Sequence, residues 1–305
     1  MPTLRWLAAE HDIVAVVSQP DKPAGRGAEL SATPVAAHAM ASLAHVPLLR
    51  VANVNDEETA DFLRSARPDV WVVIAFGQKL GKPLLEGQRA MNLHASLLPR
   101  WRGAAPIHAA MLAGDPMTGN SVITLAERMD AGLVLTQSEH AISPLTTVGE
   151  LHDLLAADGP AVIGKALERA AREWPFGTVQ DASRVTLAGK LSKADGWVDF
   201  CVEADVCRRR INGLSPWPGV TATFRGEPLR LLRAGPVEGG AQSGRGGEIL
   251  DIGLGLVGCG HGTSMRLIDI QLAGKRAMPW PDFVNGKRVV VGEMILGMSA
   301  GGAPC

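Results

Sequence analysis

"PDVWVVIAFGQ", residues 68–78, is the stretch on which the fold turns. It opens on Pro68-Asp69, runs from Val70 to Phe76 without a polar side chain and closes on Gly77. An apolar run this short and rich in β-branched residues predicts a strand buried on both faces. "DIVAVVSQPD" (12–21) is a second such run, ending in turn residues. Between the two, "TPVAAHAMASLAH" (33–45) and "NDEETADFLRSAR" (55–67) read as helices. The latter has Asn55 or Asp56 placed as the N-cap, with Glu57 and Glu58 in the first turn, where the helix dipole favours acids. Strand, helix and strand in alternation predict an α/β fold, a parallel sheet with helices on its faces. Ligands of such sheets bind beyond the carboxyl ends of the strands, which is where Gly77 and the loop after it fall.

Working outward, "GDPMTGNSVITLAERMDAGLVLTQSEHAI" (114–142) reads as turn, strand, loop, strand. "TTVGELHDLLAADGPAVIGKALERAARE" (146–173) is helical, with Thr147 and Glu150 at capping-box spacing. Residues 174–190 have no clear period and read as a linker. From residue 191 the texture changes to short strand-like pieces: "VTATF", "PLRLLRA", "GEILDIG", "GLVGCG" and "SMRLIDIQ". Gly-rich turns separate them, which predicts a small β-barrel or sandwich. The stretch "EGGAQSGRGGE" (238–248) reads as a mobile loop.

Composition narrows the function classes. The chain has 305 residues, 46% of them hydrophobic and 20% charged, which suits two folded domains rather than a disordered chain. Its formal net charge of −1 gives no global polycation that would announce nucleic acid. The cysteines, Cys201, Cys207, Cys259 and Cys305, form no CxxC and no zinc-ligand spacing with histidine. A chain of this length does not depend on a disulfide framework, and a reducing cytosol is the expected compartment. No apolar run reaches the roughly 18 residues of a membrane span. The N-terminus meets charge too early for a signal peptide.

The chemistry concentrates in "MNLHASLLPRWRGAAPIHAAM" (91–111). If "AMNLH" is extended, Asn92 and His94 point to the same side. An Asn amide offers two donors and an acceptor, and a His can donate or carry a proton near neutral pH. Together they suit oxyanion stabilisation and proton movement in acyl transfer. Asp130, in the polar loop "RMDAGL", is placed to orient or charge-pair a histidine. Each feature alone has a plain structural reading: a strand end, a solvated "PRWRG" turn, an Asp in a turn. It is the combination that points to a site.

The run "NLHASLLPRWRGAAPIHAAMLAGDPMTGNSVITLAERMDAG" resembles the signature of the folate-dependent formyltransferases, and its "LLPRWRGAAPI" is similar to the branch acting on methionyl-tRNA. "SQPDKPAGRG" (18–27), "KLSKADGWVDF" (190–200), "INGLSPWPG" (211–219) and "LAGKRAM" (272–278) resemble further stretches of that branch. The likeness runs from about residue 2 to about residue 290.

The resemblance implies a Rossmann-like formyltransferase domain (residues 1–173), a linker (174–190) and an OB-like tRNA-binding barrel (191–305). It implies transfer of the formyl group of 10-formyltetrahydrofolate to the α-amine of methionyl initiator tRNA, by a cytoplasmic monomer without a metal or a membrane. By motif position, Asn92, His94 and Asp130 correspond to the catalytic trio, and Ser96, Leu97, Leu98 and Pro99 to the folate-contacting segment. Lys22 and Arg26 correspond to contacts with the tRNA acceptor end. Arg208 and Arg209 of the Arg208–Arg210 run, together with Lys275 and Arg276, are phosphate-contact candidates, as is the pair Lys287-Arg288. A basic run is otherwise a solvated face.

One departure stands out. The family has a strand and a Gly-Thr-Pro-type loop ahead of the segment matching residues 2–17, whereas this chain opens at "MPTLRWLAAEHD". The first strand of the sheet is therefore expected to be missing, leaving unpaired backbone groups and a groove. Two rival readings follow: a formyltransferase for an amino sugar or another small amine, and a non-catalytic RNA-binding protein with a decayed N-terminal domain.

Overall fold

The computed structural model describes residues 1–24, 29–237 and 242–298. Arg26 and residues 238–241 of the Gly-rich stretch lie outside the described residues. The chain divides into two compact units. The first comprises Met1–Arg102, Gly119–Glu139 and Leu154–Thr186; the second comprises Gly103–Thr118, His140–Asp153 and the chain from Leu187 onward.

In the first unit the decisive run forms the strand Trp71–Ile74. It pairs in parallel with Ala90–His94, Val73 opposite Asn92. Ser121–Thr124 and then Val134–Gln137 extend the sheet antiparallel. The sheet is thus mixed, not the parallel sheet expected. The last two strands are joined by a loop of residues 125–133, and a parallel pairing would need a crossover longer than that. Met91, Val122, Leu135, Val162 and Ile163 make the core under this sheet.

A separate parallel pair, Val16–Ser18 with Leu48–Arg50, forms its own two-stranded sheet. Its strand Val16–Ser18 and the strand Trp71–Ile74 both line a cavity of about 830 Å³, with Ala15, Val17, Val70 and Val72 among its walls. At the carboxyl ends of these strands the Gln19 amide donates to the Phe76 carbonyl at 2.6 Å. Val14, ahead of the strand Val16–Ser18, and Ile74, in the edge strand Trp71–Ile74, are 40% and 38% exposed. Helix Glu57–Ser65 is capped by Asp56, whose Oδ1 accepts from the Thr59 N–H at 2.9 Å. Asn55, the other cap candidate, accepts instead from the Gly81 N–H at 2.6 Å.

The second unit is built on an antiparallel sheet of seven strands. Along the sheet the order is Ile249–Asp251, Leu256–Gly258, Ser264–Leu272, Glu227–Gly235, Val220–Phe224 and Ile295–Leu296, with Met278–Pro279 paired to Ser264–Leu272. The sheet is open; an isolated bridge pairs Glu248 with Met294 beyond its two end strands. Helices Ala204–Gly213 and Trp280–Lys287 pack on it, burying Ile211, Trp280 and Phe283 against Phe224, Leu231 and Ile270. Among the described residues no helix is long and apolar enough to cross a membrane.

The predicted capping box is present at the start of helix Val148–Ala170: the Thr147 N–H donates to Glu150 Oε2 at 2.8 Å, and the Glu150 N–H donates to Thr147 Oγ1 at 3.4 Å. Arg233 joins it, with Nη2 2.6 Å from Glu150 Oε1 and Nε 3.0 Å from Asp269 Oδ2. Chiefly through the Arg233 hydrogen bond, the Glu150 carboxyl is pulled from 4.5 to about 2. A carboxyl depressed on folding contributes stability above its unfolded value and loses that contribution as pH falls through its folded value. Half of the Glu150 side chain is exposed, so water screens the pair and its contribution is below about 1 kcal/mol. The stability gap between the parent and a Glu150→Gln variant is therefore expected to hold above pH 4.5 and to close as pH falls from 4.5 toward about 2, read from urea midpoints across that range.

Candidate active site

Strand Ala90–His94 hydrogen-bonds on both sides, which fixes its register. Alternation then puts Asn92 and His94 on one side, about 7 Å apart along the chain. Asn92 is half-buried and His94 is 6% exposed. His94 Nε2 lies 2.8 Å from the Trp101 carbonyl oxygen. A carbonyl only accepts, so Nε2 carries a hydrogen. Nδ1 faces Asp130 Oδ2 at 3.6 Å, too long for a hydrogen bond but within ion-pair range. Asp130 is 12% exposed, and its backbone is left-handed at φ 54°. The neighbouring Gly132 allows that loop to pass close to the sheet, because a Cβ there would collide with the Thr124 carbonyl.

Asn92 makes no side-chain hydrogen bond among the described residues. An amide held half-buried without a partner, beside a buried histidine backed by a carboxylate, can donate to a developing negative charge while the His–Asp pair moves a proton.

The "SLLP" segment is held from beneath by Ser121, the residue paired with His94 across the sheet. Ser121 Oγ donates to the Ser96 carbonyl at 2.6 Å and accepts from the Leu98 N–H at 3.1 Å and from Gln137 Nε2 at 2.8 Å. Gln137 Nε2 also reaches the Leu98 carbonyl at 3.1 Å. Ser96 is fully buried and its hydroxyl donates to the Arg100 carbonyl at 2.7 Å. Leu98 is buried, whereas Leu97 and Pro99 are half-buried. Neither Ser121 nor Gln137 was legible as a site residue, because both act through backbone atoms brought to them by the sheet.

The basic candidates divide. Lys22, exposed in the first unit, donates to Gln19 Oε1. Arg208 and Arg209 in the second unit are tied down: Arg208 pairs with Asp205 and donates to the Pro144 carbonyl, while Arg209 reaches Asp205 at 3.1 Å and the Ala113 carbonyl at 2.7 Å. Lys275 and Arg276 are exposed in the turn after strand Ser264–Leu272. Arg210 stacks over Trp197, its guanidinium carbon 3.4 Å from the ring centroid. No group of three or more His, Cys, Asp or Glu able to hold a metal ion occurs among the described residues.

This geometry is compatible with group transfer, and the comparisons identify the family. The formyl transferase profile matches residues 4–167, and the profile of the formyl transferase C-terminal domain matches residues 190–288. A methionyl-tRNA formyltransferase of Acidiphilium cryptum is 41% identical over 301 residues, covering 97% of this chain and 96% of its own. The methionyl-tRNA formyltransferase of Magnetococcus marinus is 37% identical over 287 residues, covering 93% and 90%. In fold, the chain is similar to an N-formyltransferase from Helicobacter canadensis solved with folinic acid and dTDP-3-aminofucose: TM-score 0.62, 11% identity, 87% of this chain and 93% of that one. The chain belongs to the formyl transferase family, in its methionyl-tRNA formyltransferase branch.

Replacing Ser121 with Ala would take its hydroxyl from the Ser96 carbonyl and the Leu98 N–H, leaving them only the 3.2 Å hydrogen bond they make to each other. A loss of about 1–3 kcal/mol of stability is expected, measured by urea unfolding.

Proposed function

We propose that this chain transfers the formyl group of 10-formyltetrahydrofolate to the α-amine of methionyl initiator tRNA, with Asn92, His94 and Asp130 at the reacting atoms. The observation that carries the reading is the Asn92 amide, without a side-chain partner among the described residues, beside the buried His94–Asp130 pair, in a chain with near full-length likeness to methionyl-tRNA formyltransferases.

The neutral amine attacks the formyl carbon, and the formyl oxygen takes the negative charge. The Asn92 amide donates to that oxygen. His94 Nε2 is engaged by the Trp101 carbonyl, so Nδ1 is the ring nitrogen open to proton exchange, with Asp130 stabilising the charged ring. The amine proton leaves toward this pair, directly or through water. The bond from the formyl carbon to folate N10 then breaks, N10 takes a proton, and the C=O double bond reforms. The Ser96–Pro99 backbone would border the folate, with half-buried Leu97 offering apolar surface and main-chain groups reading the polar edge of the pteridine.

For the RNA, the exposed cations Lys22, Lys275 and Arg276 fit phosphate contacts, and Arg26 of the "PDKPAGRG" loop joins them from the resemblance. Arg208 and Arg209, which also hold carbonyls and Asp205 within their own unit, remain candidates for phosphate contact. The domains we infer are a catalytic region over 1–173, a connecting segment over 174–190 and an OB-like tRNA-binding region from 191, the last supported by the Glu248–Met294 bridge. A cytoplasmic monomer completes the reading. The second reading is an amino sugar as acceptor, the class of compound bound in the Helicobacter canadensis protein that shares the fold.

The test is a formylation assay with methionyl initiator tRNA and 10-formyltetrahydrofolate, run beside a dTDP-amino sugar acceptor. Formylated aminoacyl-tRNA is expected from the parent. Asn92→Ala is expected to lower kcat by ~10²–10³, with His94→Ala and Asp130→Ala also losing rate. Formylation of the sugar but not the tRNA overturns the acceptor. Parent-like rates in all three variants overturn the site. Tight tRNA binding without any transfer would favour the RNA-binding rival.

A further inference from the structure

Segment 174–186 has no long helix or strand, yet it touches both supports of His94. Thr178 forms a two-way backbone bridge with Val134, each N–H donating to the other's carbonyl at 2.9 Å. Two residues on, Gln180 turns its side chain to the Asp130 loop. Its Nε2 donates to the Asp130 carbonyl and to the Gly132 carbonyl, both at 2.8 Å. Its Oε1 accepts from Arg102 Nε at 3.0 Å and from Arg102 Nη2 at 2.8 Å. Further along, Thr186 Oγ1 accepts from the Trp101 N–H at 2.9 Å, and its carbonyl accepts from the Arg102 N–H at 2.9 Å.

Trp101 and Asp130 are the two residues that flank the His94 ring, one at each nitrogen. Both have a left-handed backbone, at φ 64° and 54°. A non-glycine residue holds that conformation only where its surroundings over-determine it. All four hydrogen bonds of the Gln180 amide serve this purpose: its donors fix the carbonyls on either side of Ala131, and its acceptor fixes the guanidinium of the residue after Trp101.

We propose that Gln180 is a positioning residue, the cross-tie that sets the distance between Asp130 and the Trp101 carbonyl and so seats the His94 ring between them. It touches no reacting atom. It acts by holding two strained backbone turns at a fixed separation, so that Nδ1 meets the carboxylate while Nε2 stays engaged. The proposal rests on the assignment of His94 and Asp130 to the chemistry.

The test uses the full chain with Gln180→Leu, which removes every polar contact at similar volume, and Gln180→Glu, which keeps an acceptor for Arg102 but cannot donate to the two carbonyls. Steady-state formylation is measured with each. In parallel, the Nε2-bound hydrogen of His94 is followed by ¹⁵N-histidine NMR, its signal assigned by its absence in His94→Ala. Both variants are expected to lose kcat on the order of 10²-fold, as a misplacement of about 1 Å at a reacting group does, with KM for folate and for tRNA unchanged. The His94 signal is expected to shift or vanish in both. A parent-like kcat in both variants overturns the proposal. So does a fall in kcat that accompanies lowered thermal stability while the His94 signal stays as in the parent, since that is a general structural effect. If His94→Ala itself retains full activity, the site assignment fails, a result separate from the behaviour of Gln180.

Discussion

A strand paired on both sides cannot slip, and the site hangs on that constraint at Ala90–His94. Trp71–Ile74 holds it in parallel on one side and Ser121–Thr124 antiparallel on the other. A one-residue shift would turn Asn92 and His94 to the opposite face. The same pairing sets Ser121 opposite His94, so the residue that fixes the "SLLP" backbone comes from the strand that fixes the histidine. Register, turn and side-chain direction are one decision.

The first unit is strong at that strand and weaker to one side of it. The pair Val16–Ser18 with Leu48–Arg50 makes no ladder with the four-stranded sheet, and both line the same large cavity. The candidate site lies on the other side of Trp71–Ile74, where pairing is complete. The second unit distributes its stability differently, through an aromatic core of Trp280, Phe283 and Phe224 and through the Arg233 link to the capping box of Glu150.

Much of this was legible in the residues. The apolar run 70–76 became a strand, the "VTATF" to "SMRLIDIQ" pieces became antiparallel strands, and both predicted helix starts carry their caps. Asn92 and His94 share a side because strand alternation is a local rule. What failed to read locally were the outcomes decided by partners. The parallel sheet became mixed because a loop too short for a crossover joins its last strands. That carbonyls and Asp205 engage Arg208 and Arg209, the phosphate-contact candidates, is likewise set by the fold. The hydrogen bonds of segment 174–190 to distant backbone leave no period in a sequence, so its contacts with the Trp101 and Asp130 turns could not be read there.

The sequence by itself determined the class of elements, the pairing of an amide and an imidazole on one strand, and, through its motifs, the family. Periodicity and side-chain chemistry are local, so they survive in one dimension. Only the tertiary structure decided which ring nitrogen of His94 is engaged, that Asp130 stands 3.6 Å from the other, and that Gln180 ties the two sides together. The contacts of Gln180 join residues as many as 78 positions apart, from Arg102 to Gln180. Such distances exist only once buried polar groups have found their partners in three dimensions.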